Sequence, residues 1–384
     1  MRFEFATASR IIFGAGAFSQ AGPLAGELGR RALVTTGRNT ARATRLREAL
    51  GKAGVQAVPF SIEGEPDLET IRRGVDLARR DRCDMVIGFG GGSALDAAKA
   101  IAAMLANHGD LLDYLEVIGS AKPLARPSAP VLAIPTTAGT GAEVTRNSVL
   151  ASPERRLKVS LRSPLMLPKV ALVDPELTWD LPPALTASTG LDALTQLIEP
   201  YVCARANPMT DGLCVEGIKR VARSLRTAYA DGRNPAARED LSLASLFGGL
   251  ALANAGLGAV HGLAGVIGGM FGAPHGAICA ALLPHVMAAN LAALRSRAPA
   301  NPALARYEEI ARLLTAQPGV PADAGVEWVA KLVSALQIPK LASYGLAPPH
   351  IPDLVQKSQN ASSMKANPIL LTDQELSKVV ETAI

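Results

Sequence analysis

Short apolar runs alternate with amphipathic segments along the first half of the chain. The runs RALVTTG, VQAVPF, DMVIGFG and VLAIPTT have the length and residue types of buried strands. Between them, ATRLREALGKAG and DLETIRRGVDLARRDRC place apolar residues at helical spacing. A third predicted helix, GGSALDAAKAIAAML, directly follows the strand DMVIGFG. This alternation predicts a parallel sheet with helices covering both of its faces.

The pattern changes near residue 180. The paired prolines Pro182 and Pro183 mark a boundary, and helical periodicity with few strand-like runs then continues to the C-terminus. We therefore predict an α/β domain over residues 1–180 and an all-helical domain over residues 181–384. A chain of 384 residues is long enough for two cores, because a single core stops growing at about 250–300 residues.

Composition narrows the class of protein. An apolar content of 48% and a mean hydropathy of +0.20 exclude a disordered chain. The net charge of +5 comes from Lys and Arg scattered among acids, so we expect no nucleic-acid partner. Cys83, Cys203, Cys214 and Cys279 form no CxxC pair and lie in apolar stretches, which is typical of reduced thiols in a cytoplasmic protein.

One stretch is long enough to raise the question of a membrane span. Leu241–Leu294 contains no Asp, Glu, Lys or Arg. Asn254, His261, Pro274, His275 and many glycines interrupt it, and lipid-facing helices tolerate such residues poorly. We interpret the stretch as interior helices and expect no membrane association. The N-terminus contains Glu4 and lacks a long apolar segment with a cleavage site, so we also expect no signal peptide.

The end of the third predicted strand is rich in glycine. DMVIGFG is followed by Gly91, Gly92 and Ser93, and Asp96 stands three residues after Ser93 in the arrangement of a capping box. Glycine lets the backbone approach a ligand, and the free N–H groups of a helix start accept a pyrophosphate. A strand-to-helix turn that needs glycine for packing is the alternative. The stretch is not GxGxxG, so the first-strand Rossmann fingerprint is absent.

The next strand end, VLAIPTTAGTGAEVTRNS, combines glycines with hydroxyl side chains. Ligands bind beyond the carboxyl ends of parallel strands. Its candidate cofactor-binding residues are Thr136, Thr137, Thr140 and Thr145. Two polar, small-residue loops at neighbouring strand ends favour nucleotide binding over simple turns.

The helical half contains a candidate metal site. In GLDALTQLIEPYV, Asp192 and Gln196 are four residues apart and share one helix face. A later run of glycine and aliphatic residues contains His261 and His275, each followed by glycine. An acid, two imidazoles and a polar fourth group suit Fe(II) or Zn(II). Spacing alone leaves two alternatives open, a helix-capping role for Asp192 and hydrogen-bonded core histidines.

Six motifs, in chain order, resemble those of the iron-containing (group III) alcohol dehydrogenases: GGGSALDAAKA, AIPTTAGTGAEVT, GLDALT, GAVHG, APHG and LLPHVM. The resemblance runs from IIFGAGA to NPILLTDQEL and covers essentially the whole chain. It implies the dehydroquinate synthase-like architecture, with an α/β NAD(P)-binding domain before an all-α metal-binding and catalytic domain. It further implies an NAD(P)(H)-dependent alcohol dehydrogenase or aldehyde reductase, cytoplasmic and homodimeric or larger, that acts with a divalent metal on a small alcohol or aldehyde.

The resemblance also assigns residues. It implies cofactor contacts at the glycine loop, the threonine loop and a later lysine: Gly91, Gly92, Ser93, Asp96, Thr136, Thr140, Thr145 and Lys158. It implies metal ligands at Asp192, Gln196, His261 and His275, and we expect Asp192 and the two histidines to carry the catalysis.

Three positions depart from the family pattern. Gln196 stands where the family usually has His, and a neutral amide oxygen binds Fe(II) more weakly than imidazole does. Gly265 replaces a histidine often credited with relaying a proton, so a relay here must use water or the cofactor ribose. Gly37 and Arg38 end the first predicted strand in place of an Asp, which permits NADP(H) as well as NAD(H).

Two other functions remain open from the sequence. The related maleylacetate reductases act without metal, and the altered position at Gln196 makes that reaction relevant. A non-catalytic relative would bind NAD(P)H and turn over no alcohol or aldehyde. The joint retention of the cofactor loops and three metal positions favours the metal-dependent enzyme over both.

Overall fold

The computed structural model describes residues 2–37 and 41–384, with Ala41 and Arg42 described by their backbone alone. Arg38, named above as a candidate neighbour of a 2′-phosphate, lies outside the described residues. The chain folds into two compact units. We call them the sheet unit (Ala6–Thr137 and Gly141–Trp179) and the helical unit (Ala138–Thr140 and Asp180–Ile384, with the N-terminal residues through Phe5).

A parallel sheet forms the centre of the sheet unit. In the described part of the chain its six strands have the order β1-β8-β5-β4-β2-β3, and every pairing is parallel. The strands are β1 (Arg10–Phe13), β2 (Arg31–Thr36), β3 (Gln56–Ser61), β4 (Met85–Gly90), β5 (Val131–Pro135) and β8 (Val170–Val173). The predicted parallel sheet is confirmed. The sequence pattern missed an antiparallel hairpin, β6 (Asn147–Ser152) with β7 (Leu157–Arg162).

Helices cover both faces of this sheet, as alternating strand positions require. Leu33 and Val86 pack into one core, whereas their chain neighbours Val34 and Ile87 pack into the other. The first core lies under α3 (Leu68–Arg80) and α4 (Gly92–Ala106), and the second lies under α1 (Ala21–Leu28) and α2 (Ala41–Lys52).

The helical unit surrounds one large apolar core. Its helices are α5 (Pro183–Val202), α6 (Pro208–Ala230), α7 (Pro235–Asn254), α8 (Ala259–Phe271), α9 (His275–Arg297), α10 (Ala303–Thr315), α11 (Ala322–Ala335), α12 (Ile351–Gln359) and α13 (Asp373–Ala383). Among the described helices, α9 is long and apolar enough to cross a membrane, and 78% of its apolar window is buried inside the protein. This burial is what an interior helix of a large core shows. The predicted α/β and all-helical fold class is confirmed.

Candidate metal centre and nucleotide-binding edge

Three of the four predicted metal ligands lie together in the helical unit. Asp192 projects from the middle of α5 and is 2% exposed. Its Oδ1 lies 3.5 Å from Nε2 of His261 on α8 and 3.7 Å from Nε2 of His275, the first residue of α9. The structure therefore brings one carboxylate oxygen and two imidazole nitrogens from separate helices to one point.

Glycine makes this convergence sterically possible. A Cβ at Gly276 would lie 2.6 Å from the Ser188 carbonyl oxygen of α5, so only glycine lets the start of α9 approach α5 this closely. A Cβ at Gly258, directly before α8, would lie 2.8 Å from Glu199 Oε1. Two glycines thus set the positions of the helix starts that carry His275 and His261.

Glu199 orients one of the imidazoles, a role that the sequence analysis missed. His261 Nδ1 donates to Glu199 Oε2 at 2.6 Å, and the Val260 backbone N–H donates to Glu199 Oε1 at 2.7 Å. With Nδ1 bonded to Glu199, Nε2 is the ring nitrogen that faces Asp192. Metal-binding histidines are held in this way, by a carboxylate on the nitrogen that does not face the metal. Glu199 lies on the same helix as Asp192, two turns later and three residues after Gln196. This spacing was the signal in the sequence.

Cys279 is a second group that the sequence analysis missed. It lies one turn after His275 on α9, with its Sγ 3.7 Å from His275 Nε2 and 3.9 Å from His261 Nε2. One donor atom from each of Asp192, His261, His275 and Cys279 lies within 4.8 Å of every other. The spacing of four residues after a candidate ligand was the signal in the sequence.

The residues present fit a divalent cation. Among the described residues, Asp192 Oδ1 and Gln196 Oε1 are buried and have no hydrogen-bond partner. Orphaned buried oxygens are rare and costly, at about 1–3 kcal/mol for a neutral group and more for a charged one. A cation bound to Asp192 Oδ1 removes that cost for the carboxylate. Gln196 borders Asp192 on α5, so the fourth predicted position also belongs to this region.

The charges of the cluster are strongly coupled. Burial raises the pKa of Asp192, but the imidazoles of His275 and His261, together with Gln196, outweigh burial and bring this pKa below its usual range. Burial raises the pKa of the Cys279 thiol to about 12. Burial lowers the pKa of His261, but Cys279, Glu199 and Asp192 outweigh burial and raise this pKa well above its usual range. Metal binding must therefore displace a proton from His261 and from any thiol that ligates.

Most candidate cofactor residues of the sheet unit lie at the carboxyl ends of the strands, which we call the nucleotide-binding edge of the sheet. β2, β4 and β5 are neighbours, and chain order reverses between β2 and β4, which is where open α/β sheets bind ligands. A Cβ at Gly90 would lie 3.5 Å from the Gly37 nitrogen, and a Cβ at Gly91 would lie 3.3 Å from Thr137. The backbone N–H of Thr136 donates to the Gly90 carbonyl at 2.9 Å. The two predicted loops therefore touch.

The start of α4 differs from the predicted capping box. The helix begins at Gly92 with Gly91 as its N-cap, and no side chain caps it in the described structure. Ser93 is thus inside the first turn, and Asp96 instead accepts from the Val149 backbone N–H at 3.0 Å. The capping box was wrong because the helix begins one residue before Ser93, and Lys99 and the Val149 N–H bind the Asp96 carboxylate. Uncapped N–H groups at the start of a 15-residue helix suit an anion.

A buried lysine connects α4 to the threonine loop. Lys99 is 1% exposed and contacts Asp96 Oδ1 at 2.9 Å, Thr145 Oγ1 at 2.9 Å and the Asn147 carbonyl. Gly141 turns the chain into this loop with a φ of 59°, a value that favours glycine. Asp96 and Thr145 therefore have structural partners within the sheet unit.

Two further residues, Lys158 and Thr140, were predicted to contact the cofactor. Lys158 on β7 has its Nζ bonded to Glu65. Thr140 belongs to the short segment of the helical unit between two stretches of the sheet unit. The cofactor contacts assigned to both residues stay predictions.

Comparison with known proteins identifies the family. The sequence model "Iron-containing alcohol dehydrogenase" matches residues 8–175, and "Fe-containing alcohol dehydrogenase family, C-terminal" matches residues 186–384. The chain belongs to the iron-containing alcohol dehydrogenase family. As a member of this family it is an oxidoreductase that acts on alcohols, as the sequence analysis predicted.

Individual family members agree with this assignment. The chain is 36% identical to a 1,3-propanediol dehydrogenase of Klebsiella pneumoniae, over 87% of this chain and 85% of that one. It is 32% identical to an NAD-dependent methanol dehydrogenase of Bacillus methanolicus, over 97% of both chains. A crystal structure of a 1,3-propanediol oxidoreductase superposes with a TM-score of 0.91 at 33% identity, covering 100% of both chains.

Within this alcohol dehydrogenase, Glu199→Gln should weaken metal binding by about 10- to 100-fold, the usual effect of losing a carboxylate behind a metal-binding histidine. The amide keeps the size of the side chain but no longer attracts the Nδ1 proton of His261 as strongly. Titration of apoprotein with Zn(II) against a chelating dye measures the affinity. Glu309→Gln is the matched control, because it changes a part-buried carboxylate of the same unit that accepts a hydrogen bond from the Tyr201 hydroxyl. Equal affinity in both variants would show that Glu199 does not hold the imidazole.

Glu143 gives the sheet unit a pH-dependent stability. It is 2% exposed, and burial raises its pKa to about 7 although Lys99 lowers it. The folded state therefore keeps a proton that the unfolded chain releases near pH 4.5, so stability falls as the pH rises from about 4.5 to about 7. Glu143→Gln should unfold like the parent at pH 4.5, and should be more stable by about 2–3 kcal/mol at pH 8. Urea unfolding at both pH values checks this, and a pH-independent difference would contradict it.

Proposed function

We propose that this enzyme transfers a hydride reversibly between NAD(P)(H) and a small alcohol or aldehyde, with a divalent metal held by Asp192, His261 and His275. The observation that carries the proposal is the convergence of two imidazole nitrogens on an orphaned, buried carboxylate oxygen. Such a cluster is costly to bury unless a cation neutralises it.

The chain's own residues prepare the site for this reaction. Asp192 supplies the negative charge, and Glu199 holds His261 with Nε2 turned toward Asp192. When bound, a divalent ion polarises the substrate oxygen as a Lewis acid, and the nicotinamide exchanges a hydride with the carbon that carries this oxygen. Asp192 and His261 are buried, and burial strengthens these electrostatic effects.

Proton transfer is proposed to use water. Gly265 follows His261 by one helical turn on α8, on the same face. A Cβ at Gly265 would meet no atom within 4 Å, so the space that a side chain would fill is open. This opening gives a water molecule, or part of the substrate, room beside the helix that carries a metal ligand.

The dinucleotide is proposed to bind at the edge formed by β2, β4 and β5. Its pyrophosphate would rest on the backbone of Gly91, Gly92 and Ser93 at the start of α4. Gly37 follows β2 without a carboxylate, and a Cβ there would meet nothing within 4 Å. A 2′-phosphate therefore meets neither charge repulsion nor crowding at Gly37, and we propose that the enzyme accepts NADP(H) as well as NAD(H).

We propose small substrates, because the family members compared above are named for 1,3-propanediol and methanol. A homodimeric or larger assembly in the cytoplasm completes the proposal. The free cysteines of the described structure are all buried, as a reducing compartment would allow.

The test is a panel of short alcohols and aldehydes assayed with NAD(H) and NADP(H), before and after chelation and after return of Zn(II) or Fe(II). We expect turnover that disappears with the metal and returns with it. Full turnover by metal-free protein would instead favour a metal-independent reductase of the maleylacetate type. Cofactor binding without any turnover across the panel would indicate a non-catalytic relative.

A further inference from the structure

We infer that Cys279 is the fourth protein ligand of the metal centre, as a thiolate, and that the resulting Asp-His-His-Cys donor set favours Zn(II) over Fe(II). The inference rests on the proposed function in assuming that the cluster holds a metal. It replaces Gln196, the fourth ligand expected from the sequence, with a residue on a different helix.

Helix α9 positions both Cys279 and the metal-ligand candidate His275. Cys279 follows His275 by four residues on α9, so both side chains project from one helix face. The thiol is completely buried. Its Sγ approaches both imidazoles, at 3.7 Å from His275 Nε2 and 3.9 Å from His261 Nε2.

These separations match the edges of a tetrahedron around zinc. Bond lengths of about 2.0–2.1 Å to nitrogen or oxygen and about 2.3 Å to sulfur give edges of about 3.4 Å and 3.6 Å, respectively. The structure has 3.5 and 3.7 Å between Asp192 Oδ1 and the two imidazole nitrogens, and 3.7 and 3.9 Å from the nitrogens to sulfur. These four edges exceed the ideal values by a few tenths of an ångström, and the remaining two edges are within 4.8 Å.

The donor chemistry separates Cys279 from Gln196. A thiolate is a soft, charged ligand that suits zinc, whereas an amide oxygen is hard and neutral. Ligation forms one metal–sulfur bond and breaks the S–H bond, and the proton leaves to water. The Gln196 amide borders Asp192, so it remains available to orient that carboxylate.

Cobalt spectroscopy tests the sulfur bond directly. We expect full-length protein reconstituted with Co(II) to show a near-ultraviolet sulfur-to-cobalt charge-transfer band, which Cys279→Ser abolishes. Cys203→Ser, a change at another buried cysteine of the helical unit, should keep the band, and Gln196→Ala should keep it too. Under anaerobic competition between equal Zn(II) and Fe(II), Cys279→Ser should lower the bound Zn:Fe ratio at least about 10-fold.

Zinc X-ray absorption of the parent protein decides the question even if Cys279→Ser does not fold. One sulfur neighbour at about 2.3 Å is expected. Protein that binds metal and oxidises alcohols without a sulfur neighbour would overturn the ligand assignment and leave the proposed function intact. A charge-transfer band that persists in Cys279→Ser would also overturn the assignment. Protein that binds no metal and turns over no alcohol would refute both.

Discussion

Replacing His261 with alanine should remove most of the bound metal and lower kcat/KM for alcohol oxidation by about 10³-fold or more. A loss of 10³ corresponds to about 4 kcal/mol of transition-state stabilisation, within the several kcal/mol that a Lewis-acid metal supplies. The effect is large because His261 contributes twice. Its Nε2 faces Asp192, and its Nδ1 uses the buried Glu199 carboxylate, which the truncation leaves without its imidazole partner.

Metal content by elemental analysis and initial rates on the same sample measure the His261→Ala effect. His108→Ala is the matched control, because His108 is an exposed histidine of the sheet unit and its side chain is outside the cluster. The control should keep both metal and rate. If His261→Ala kept a full complement of metal and the parental rate, neither the ligand assignment nor the proposed mechanism would stand.

The second large effect is on stability. Lys99→Met should lower the free energy of unfolding of the sheet unit by about 2–4 kcal/mol, because breaking a buried ion pair strands the remaining charge. The Lys99 ammonium group neutralises Asp96 and satisfies Thr145 and the Asn147 carbonyl, all on segments that frame the nucleotide-binding edge. Methionine fills most of the volume, so the loss reports the charge and its hydrogen bonds.

Each unit contains one of the two tryptophans, Trp179 in the sheet unit and Trp328 in the helical unit. Urea unfolding followed by Trp179 fluorescence in a Trp328→Phe background therefore reports the sheet unit. Lys122→Met is the control, since the exposed Lys122–Asp113 pair of the sheet unit should contribute at most about 1 kcal/mol. Equal unfolding midpoints for the two lysine variants would show that the Lys99 interactions add nothing to stability.

The elements of the sheet unit were predictable to the extent that they follow local pattern. Apolar runs of four to six residues predicted β2, β4 and β5, because a strand buried on both faces must be largely apolar. A similar run predicted β3, although this strand lies at the end of the sheet and is mostly exposed or half-buried. The hairpin of β6 and β7 escaped prediction. In β6 (NSVLAS) half-buried and buried residues alternate, but three of the six side chains are polar, and β7 (LKVSLR) carries two charges. The hairpin is positioned by contacts with distant residues, such as the hydrogen bond from the Val149 N–H to Asp96.

The start of α4 shows the same limit at the scale of two residues. The sequence offered a serine and an acid with capping-box spacing, yet the helix begins before that serine. Local propensity favoured a helix start at Ser93. The contacts of Asp96 with Lys99 and with the Val149 N–H selected an earlier start instead. Tertiary contacts outweighed a preference that is worth about 1 kcal/mol.

The sequence by itself determined the two-part α/β and helical fold, the glycine and threonine loops, and three residues of the candidate metal centre, Asp192, His261 and His275. These features follow from periodicity, from small residues at strand ends and from the resemblance of short motifs. Only the tertiary structure placed Glu199 behind His261 and Cys279 beside both imidazoles. The physical reason is that these contacts join α5, α8 and α9, and their distances depend on how closely three glycine-bearing helices pack, which no local pattern encodes.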